Sequence, residues 1–290
     1  MQYKPVILAI ETTGPYASVA LSGVMGPAEE TRLKAGEGLR EEGILELVNH
    51  TDYSHLEEIA PMVKEILAAA RFEPEDLDAI AVSRGPGSFT GIRIGMATAK
   101  AFAQVWEKPI VCVPTLASFA FGDYDWEDFK GIAAQDPAFD PHRLLICPLF
   151  DARRSQIYAG VYAPFCAEAL LAGAAYDVPE YVERLAALAG SHPGAAAVFF
   201  GDGCDVPAIR AALEGSGIPH VFAPKTHQFQ RAASVLELAF ALYAAGALSD
   251  CYGAEPEYLR LAEAERKLKS GELKSKAEGT PIGIAERQAP

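Results

Sequence analysis

The segment SRGPGSFTGIRIGMATAKAFA, Ser83 to Ala103, holds the residues best placed to do chemistry: a glycine-rich turn followed by a helix. A helix start presents unpaired N–H groups, so Ser88 and Thr90 as caps, with Arg93 in the first turn, form a candidate anion or nucleotide contact. The spacing is not that of a P-loop, which needs Gly-x-x-x-x-Gly-Lys-Ser/Thr, because Gly91 is followed by Ile92 and Arg93. A dinucleotide fingerprint would need glycine in place of Thr90 and would follow the first strand of a parallel unit rather than a hairpin. The same residues also fit a turn that only caps its helix.

Other candidates are fewer. Glu11, at the end of the first apolar run, is a carboxylate that can bind a metal, act as a base or cap a turn. His50 and His55 are five residues apart, so they do not share a helical face as zinc ligands would, and no His-Glu-x-x-His occurs. No Gly-x-Ser-x-Gly elbow marks a serine hydrolase. Asp151 with Arg153 and Arg154 reads as a turn carrying a local ion pair. In the helix after the loop, Gly91, Gly95, Ala99 and Ala103 recur every four residues. Glycine inside a helix costs about 1 kcal/mol relative to alanine, so a neighbour packs closely there, either the chain's own core or a partner.

The elements that must position these residues follow from periodicity. VILAIET and YASVALS flank Gly14-Pro15 as an antiparallel hairpin. Leu56, Ile59, Val63, Ile66 and Ala70 then mark one face of a helix, with Ser54 and Glu57 as a capping box and Pro61 as a kink. AIAVSRG is a buried strand feeding the loop, a helix spans about 88–106, and IVCVPT is the next strand, which together make a βαβ unit. A second hairpin, LLICPLFDARRSQIYAGVY, and a later strand, AAAVFFGDG, echo that order. The echo reads either as two related lobes or as chance. VLELAFALYAAGALS, Val235 to Ser249, is a core helix, too short and too charged to span a bilayer.

Composition bounds the function. Half of the 290 residues are hydrophobic, enough for one large domain or two small ones. A net charge of −14 opposes autonomous binding to phosphate backbones. Five dispersed cysteines with no Cys-x-x-Cys pair fit reduced thiols, and the start of the chain reads as a strand rather than a secretory leader, so the expected location is cytoplasmic.

Taken together, ILAIETTGPYASVAL, SHLEEIAPMVKEIL, SRGPGSFTGIRIGMATAKAFA, FDARRSQIYAGVY and EPEYLR, in that order, resemble the TsaB/TsaD (Gcp-like) family of tRNA threonylcarbamoyladenosine biosynthesis. The resemblance runs from about Lys4 to Arg260, and PGSFTG is its most specific element. It implies an α/β fold of two RNase H-like lobes of the actin, Hsp70 and sugar kinase type: residues 1–113, then 114–261 with an insertion at 121–143, then a flexible tail at 262–290. In that fold, nucleotide phosphates are gripped by hairpins of the two lobes. Catalytic members carry a His-His-Met-Glu-Gly-His stretch after the corresponding helix and strand, two of whose histidines bind metal. Here that stretch reads Pro114-Thr115-Leu116-Ala117-Ser118-Phe119, and Glu11 stands where aspartate is expected. The resemblance therefore implies a non-catalytic subunit supporting threonylcarbamoyl transfer to adenosine in tRNAs that read ANN codons. Its implied partners are a TsaD-like catalytic subunit and a TsaE-like ATPase, with a homodimer in isolation, tRNA met only through the complex, and no membrane. No cofactor or metal is expected beyond weak or shared ATP/ADP at a partner interface. The family's first-lobe helices form its interface, which would place Gly91, Gly95, Ala99, Ala103, His55 and Ile59 there. The alternative is that the chain is itself a carbamoyl-transfer enzyme or an ATP-dependent kinase.

Overall fold

Strand β1 (Ile7–Glu11) is buried along its whole length, as a strand with neighbours on both edges and covered faces must be. It pairs antiparallel with β2 (Ala17–Met25) and parallel with β4 (Ala79–Gly85). Beyond these lie β3 (Glu42–Asn49) and β5 (Ile110–Pro114), giving the order β3-β2-β1-β4-β5. The structure, a computed structural model, describes residues 5–25, 42–51, 55–122, 143–153, 155–225 and 227–259. Most of the 121–143 segment, the expected tail, Arg154 and the Ser54 half of the capping box lie outside them.

The second sheet repeats the first. Strands β6 (Leu144–Asp151), β7 (Gln156–Tyr162), β8 (Ala169–Asp177), β9 (Ala196–Phe200) and β10 (His220–Phe222) lie in the order β10-β9-β6-β7-β8. The hairpin pairs β6–β7 and β7–β8 are antiparallel; β6–β9 and β9–β10 are parallel. Both sheets thus run third, second, first, fourth, fifth in chain order, which is the RNase H-like arrangement. Two such lobes make the fold of the actin, Hsp70 and sugar kinase type, and the echo in the sequence is a repeated topology.

Period-two alternation sorts the strands' side chains into three cores. On the outer face of the first sheet, Leu8, Ile10 and Val82 meet helix α1 (His55–Ala70) through Ile59, Val63 and Ile66, and helix α2 (Phe89–Trp106) through Met96, Ala99 and Ala103. On the outer face of the second, Cys147, Leu149 and Phe199 meet Tyr181 and Leu185 of α4 (Val178–Gly190) and Ile209 of α5 (Pro207–Glu214). Between the sheets, Ile7, Ala9, Ala81 and Val113 share a core with Ile146, Val198 and Phe200. Two helices enter it: the short α3 (Thr115–Ser118) through Leu116 and Ala117, and α6 (Ala232–Ala244) through Val235, Leu236, Leu238 and Ala239.

The bounds of one expected helix change. Helix α6 begins at Ala232 and ends before Gly246, whose positive φ of 74° terminates it, rather than running over 235–249. Its chain position lies within the expected second lobe, yet it packs on β1, β2 and β5 of the first, because the inner face of that sheet has the apolar surface to cover. Helix α1 is continuous through Pro61.

Candidate functional site

The PGSFTG turn is held from below by the first hairpin. After a cis Gly85-Pro86 bond, the Ser88 N–H donates to the Thr13 carbonyl at 2.8 Å, and the Thr12 hydroxyl donates to the Gly91 carbonyl at 2.8 Å. The Ser88 hydroxyl caps the helix by accepting from the Gly91 N–H at 3.2 Å. A β-carbon on Gly91 would overlap the Thr12 carbonyl oxygen, and one on Gly95 the Thr12 hydroxyl. The close neighbour required by the small-residue stripe is therefore the chain itself.

The residues expected at a partner interface lie inward in the single chain. Gly91, Gly95, Ala99 and Ala103 are all buried against the first lobe's own turn and strands. Ile59 is buried in the same core, and His55 is buried with its Nε2 2.9 Å from the Gly14 carbonyl oxygen, the geometry of a hydrogen bond. None of the six presents a surface. The outward side of α2 carries a different stripe at the same spacing: Phe89, Arg93, Ala97, Ala101 and Val105 are exposed, Phe89 at 43 % and Val105 at 76 %. Leu56 on α1 is 73 % exposed.

Of the residues read as an anion contact, Thr90 and Arg93 are exposed and Ser88 is half-buried. Arg93 lies 4.0 Å over the Phe89 ring, and its Nε donates to the Tyr258 hydroxyl at 3.4 Å. Sequence reasoning missed this partner. Residues 249–259 form a strap: Ser249 exchanges backbone bonds of 2.7 and 2.9 Å with Ile110, and the Glu257 N–H donates to the Arg84 carbonyl at 2.7 Å. The Glu257 carboxylate pairs with the Arg84 Nε at 3.0 Å, and Tyr258 packs on Phe89 with ring centroids 5.2 Å apart. The EPEYLR motif thus fastens the loop that starts α2. The only hint in the sequence was the recurrence of both motifs in one family pattern.

Glu11 caps a turn. Its carboxylate accepts from the Thr13 hydroxyl at 2.6 Å, from the Thr13 N–H and from the Ser83 hydroxyl. Burial pushes its pKa up, against the lowering effect of the bonds from Ser83 and Thr13. In the second lobe the matching hairpin carries Asp151, whose Oδ1 accepts from the Arg153 N–H at 2.7 Å and whose Oδ2 lies 3.5 Å from the Arg153 guanidinium. The Asp151 N–H in turn donates to Asp202 at 3.1 Å, and burial, with the charge of Asp151 behind it, raises the Asp202 pKa.

In the first hairpin the Thr13 N–H and hydroxyl are taken by Glu11. In the second lobe the hairpin's Asp151 stands beside the Asp202 carboxylate of the turn after β9. At the position of the catalytic members' histidines, the Thr115 hydroxyl accepts from the Gly85 N–H at 3.1 Å, the Ser118 hydroxyl donates to the Thr115 carbonyl at 2.8 Å, and Leu116, Ala117 and Phe119 fill the core. Among the described residues, no group of three His, Cys, Asp or Glu side chains stands together as a metal cage, and no helix is long and apolar enough to cross a membrane.

Comparison with known proteins agrees with this geometry. The family model described as TsaD, tRNA N6-adenosine threonylcarbamoyltransferase, matches residues 49–268. A Bacillus subtilis protein named tRNA threonylcarbamoyladenosine biosynthesis protein TsaB is 33 % identical over 157 residues, 54 % of each chain. The Haemophilus influenzae protein of the same name is 30 % identical over 152 residues, 52 % of this chain and 51 % of that one. The chain is thus matched over about half the length of these curated relatives. A solved Pseudomonas aeruginosa structure, described as similar to peptidase YEAZ, superposes with a TM-score of 0.61 at 25 % identity, covering 88 % of this chain and all of that one. A model match over more than half of the residues, with TsaB proteins among the relatives and a YeaZ-like fold, makes this chain a member of the TsaB/TsaD family.

Proposed function

We propose that the chain is a non-catalytic subunit of tRNA threonylcarbamoyladenosine biosynthesis, which binds and stabilises a TsaD-like catalytic subunit. One observation carries this reading: the segment where catalytic members place their metal-binding histidines is here the buried helix α3, built from Thr115, Leu116, Ala117 and Ser118. Hydroxyls already committed to backbone bonds, and aliphatic side chains, cannot replace imidazole as metal ligands. The relatives named TsaB support the pathway, and the description of the matching family supports a TsaD-like partner. The exposed stripe Phe89, Arg93, Ala97, Ala101 and Val105, together with the exposed Leu56 of α1, has the composition for that contact. Its alanines let a partner helix approach, and its aromatic and arginine are the types that anchor interfaces. A second copy of the chain would use the same stripe in isolation, while a TsaE-like ATPase and tRNA would join through the complex.

The second reading, that the chain itself transfers the threonylcarbamoyl group, is favoured by the transferase description of the family model. Reconstitution separates the two. Transfer to tRNA is expected only when the TsaD-like subunit is present, and to fall when this chain is omitted. Turnover by this chain alone would overturn the proposal.

A further inference from the structure

Glu11 and Gly85 mark the carboxyl ends of β1 and β4 in the first lobe, and Asp151 and Phe200 those of β6 and β9 in the second. In open α/β sheets this edge is where ligands bind. Here it is crossed by Gln228-Phe229-Gln230. The Gly201 N–H, in the turn after β9, donates to the Gln228 carbonyl at 2.7 Å, and the Gln228 Nε2 donates back to the Gly201 carbonyl at 2.9 Å. Two residues on, the Gln230 side chain lies against Gly14 of the first hairpin, so close that a β-carbon on Gly14 would overlap its Oε1. Between them, the Phe229 ring meets Tyr16 of that hairpin edge-on at 5.2 Å.

The chain then anchors in the first lobe. The Ala232 N–H donates to the Ser18 hydroxyl at 2.9 Å, the Ala233 N–H to Glu46 at 3.0 Å, and Arg231 pairs with Glu46. Two residue steps reach at most about 7 Å, so the Cα atoms of Gln228, bonded to the second lobe, and Gln230, packed on the first, lie within about that distance. Gln228 is 3 % exposed and Gln230 is 7 % exposed. Gln230 Oε1 has no hydrogen-bond partner, so packing rather than polar pairing sets its place, and a buried amide oxygen left unpaired opposes the closure it helps to make.

We propose that residues 228–230 are a built-in plug: two neutral amide side chains fill the space between the first hairpin and the turn after β9 and hold the cleft between the lobes closed. The proposal is independent of the partner reading, since it concerns the chain alone. Hydrogen exchange on the intact full chain, with and without MgADP, tests it. The Thr12–Gly14 and Gly201 turns should be protected in the intact chain, with no further protection from MgADP. In Gln228→Ala/Gln230→Ala, exchange at both turns should rise about tenfold or more, the loss expected when a local closure gives up a buried hydrogen bond, while helices α4 and α5 stay protected. Gly14→Ala, which expels the Gln230 side chain from the opposite side, should do the same and serves if the double variant fails to fold. Unchanged exchange in a folded variant, or protection of both turns by MgADP in the intact chain, would overturn the proposal.

Discussion

Gly95→Ala adds one methyl group at a site where the Thr12 hydroxyl already sits and where Thr12 Cβ and Val82 Cγ2 are each 3.6 Å from the new carbon. Alanine favours the helix by about 1 kcal/mol. Against that, the methyl displaces the Thr12 hydroxyl from its 2.8 Å bond to the Gly91 carbonyl, and a buried hydroxyl left without a partner costs about 1–3 kcal/mol. Overpacking adds a cost of similar size. The net expectation is a loss of about 1–5 kcal/mol, which lowers the melting temperature by roughly 2–8 °C in a chain of this length. Association should be unaffected, because Gly95 is buried. The decisive assay is a double-mutant cycle with Thr12→Ala, which removes the obstructing hydroxyl: the pair should be more stable than the sum of the singles by about 1 kcal/mol or more. Additive effects, or lost association with unchanged melting, would show that the stripe faces something other than Thr12.

On the opposite side of α2, Val105→Glu should weaken association with the TsaD-like subunit by about tenfold or more, while melting stays within about 0.5 kcal/mol of the parent; light scattering and calorimetry read the two. Glu11 has a folded-state pKa raised above its ordinary 4.5, so the folded state holds its proton more tightly than the unfolded one and stability declines as pH rises from that value. Glu11→Gln should flatten this decline in urea midpoints measured across the pH range, and an unchanged slope would count against the burial argument. Burial pushes the thiols of Cys147 and Cys204 up to about 12, so alkylation of the folded chain should reach the partly exposed Cys166 and Cys251 first and these two only on unfolding, as peptide mapping would report.

Much of the scaffold was legible because its signals are local. The Gly14-Pro15 turn between apolar runs specified a hairpin, and Ser88 marked the start of α2 to the residue. The spacing of Gly91, Gly95, Ala99 and Ala103 likewise announced a close neighbour. It could not say which neighbour, since Thr12 lies 79 residues before Gly91 and a small residue records only that space is taken. The exposed face of the same helix was overlooked because Ala97 and Ala101 between Phe89 and Val105 look unremarkable until burial separates the two stripes. Gln228 and Gln230 carried no pattern at all. Neutral amides occur everywhere on protein surfaces, and only the return of the chain from the second sheet to the first gives these two a role.

That return also sets the order in which the protein can be assembled. The inner face of the first sheet, with Ala9, Ala81 and Val113, is covered by α6 at residues 232–244, and the edge of β5 by Ser249. Both covers leave the ribosome after the whole second lobe. The usual habit of nascent chains, in which an amino-terminal domain folds as soon as it emerges, is therefore denied to this one. Its first lobe must wait with an apolar face open until the second lobe and α6 have emerged, and the long-range closure that follows makes folding slow and dependent on protection from aggregation in the interval.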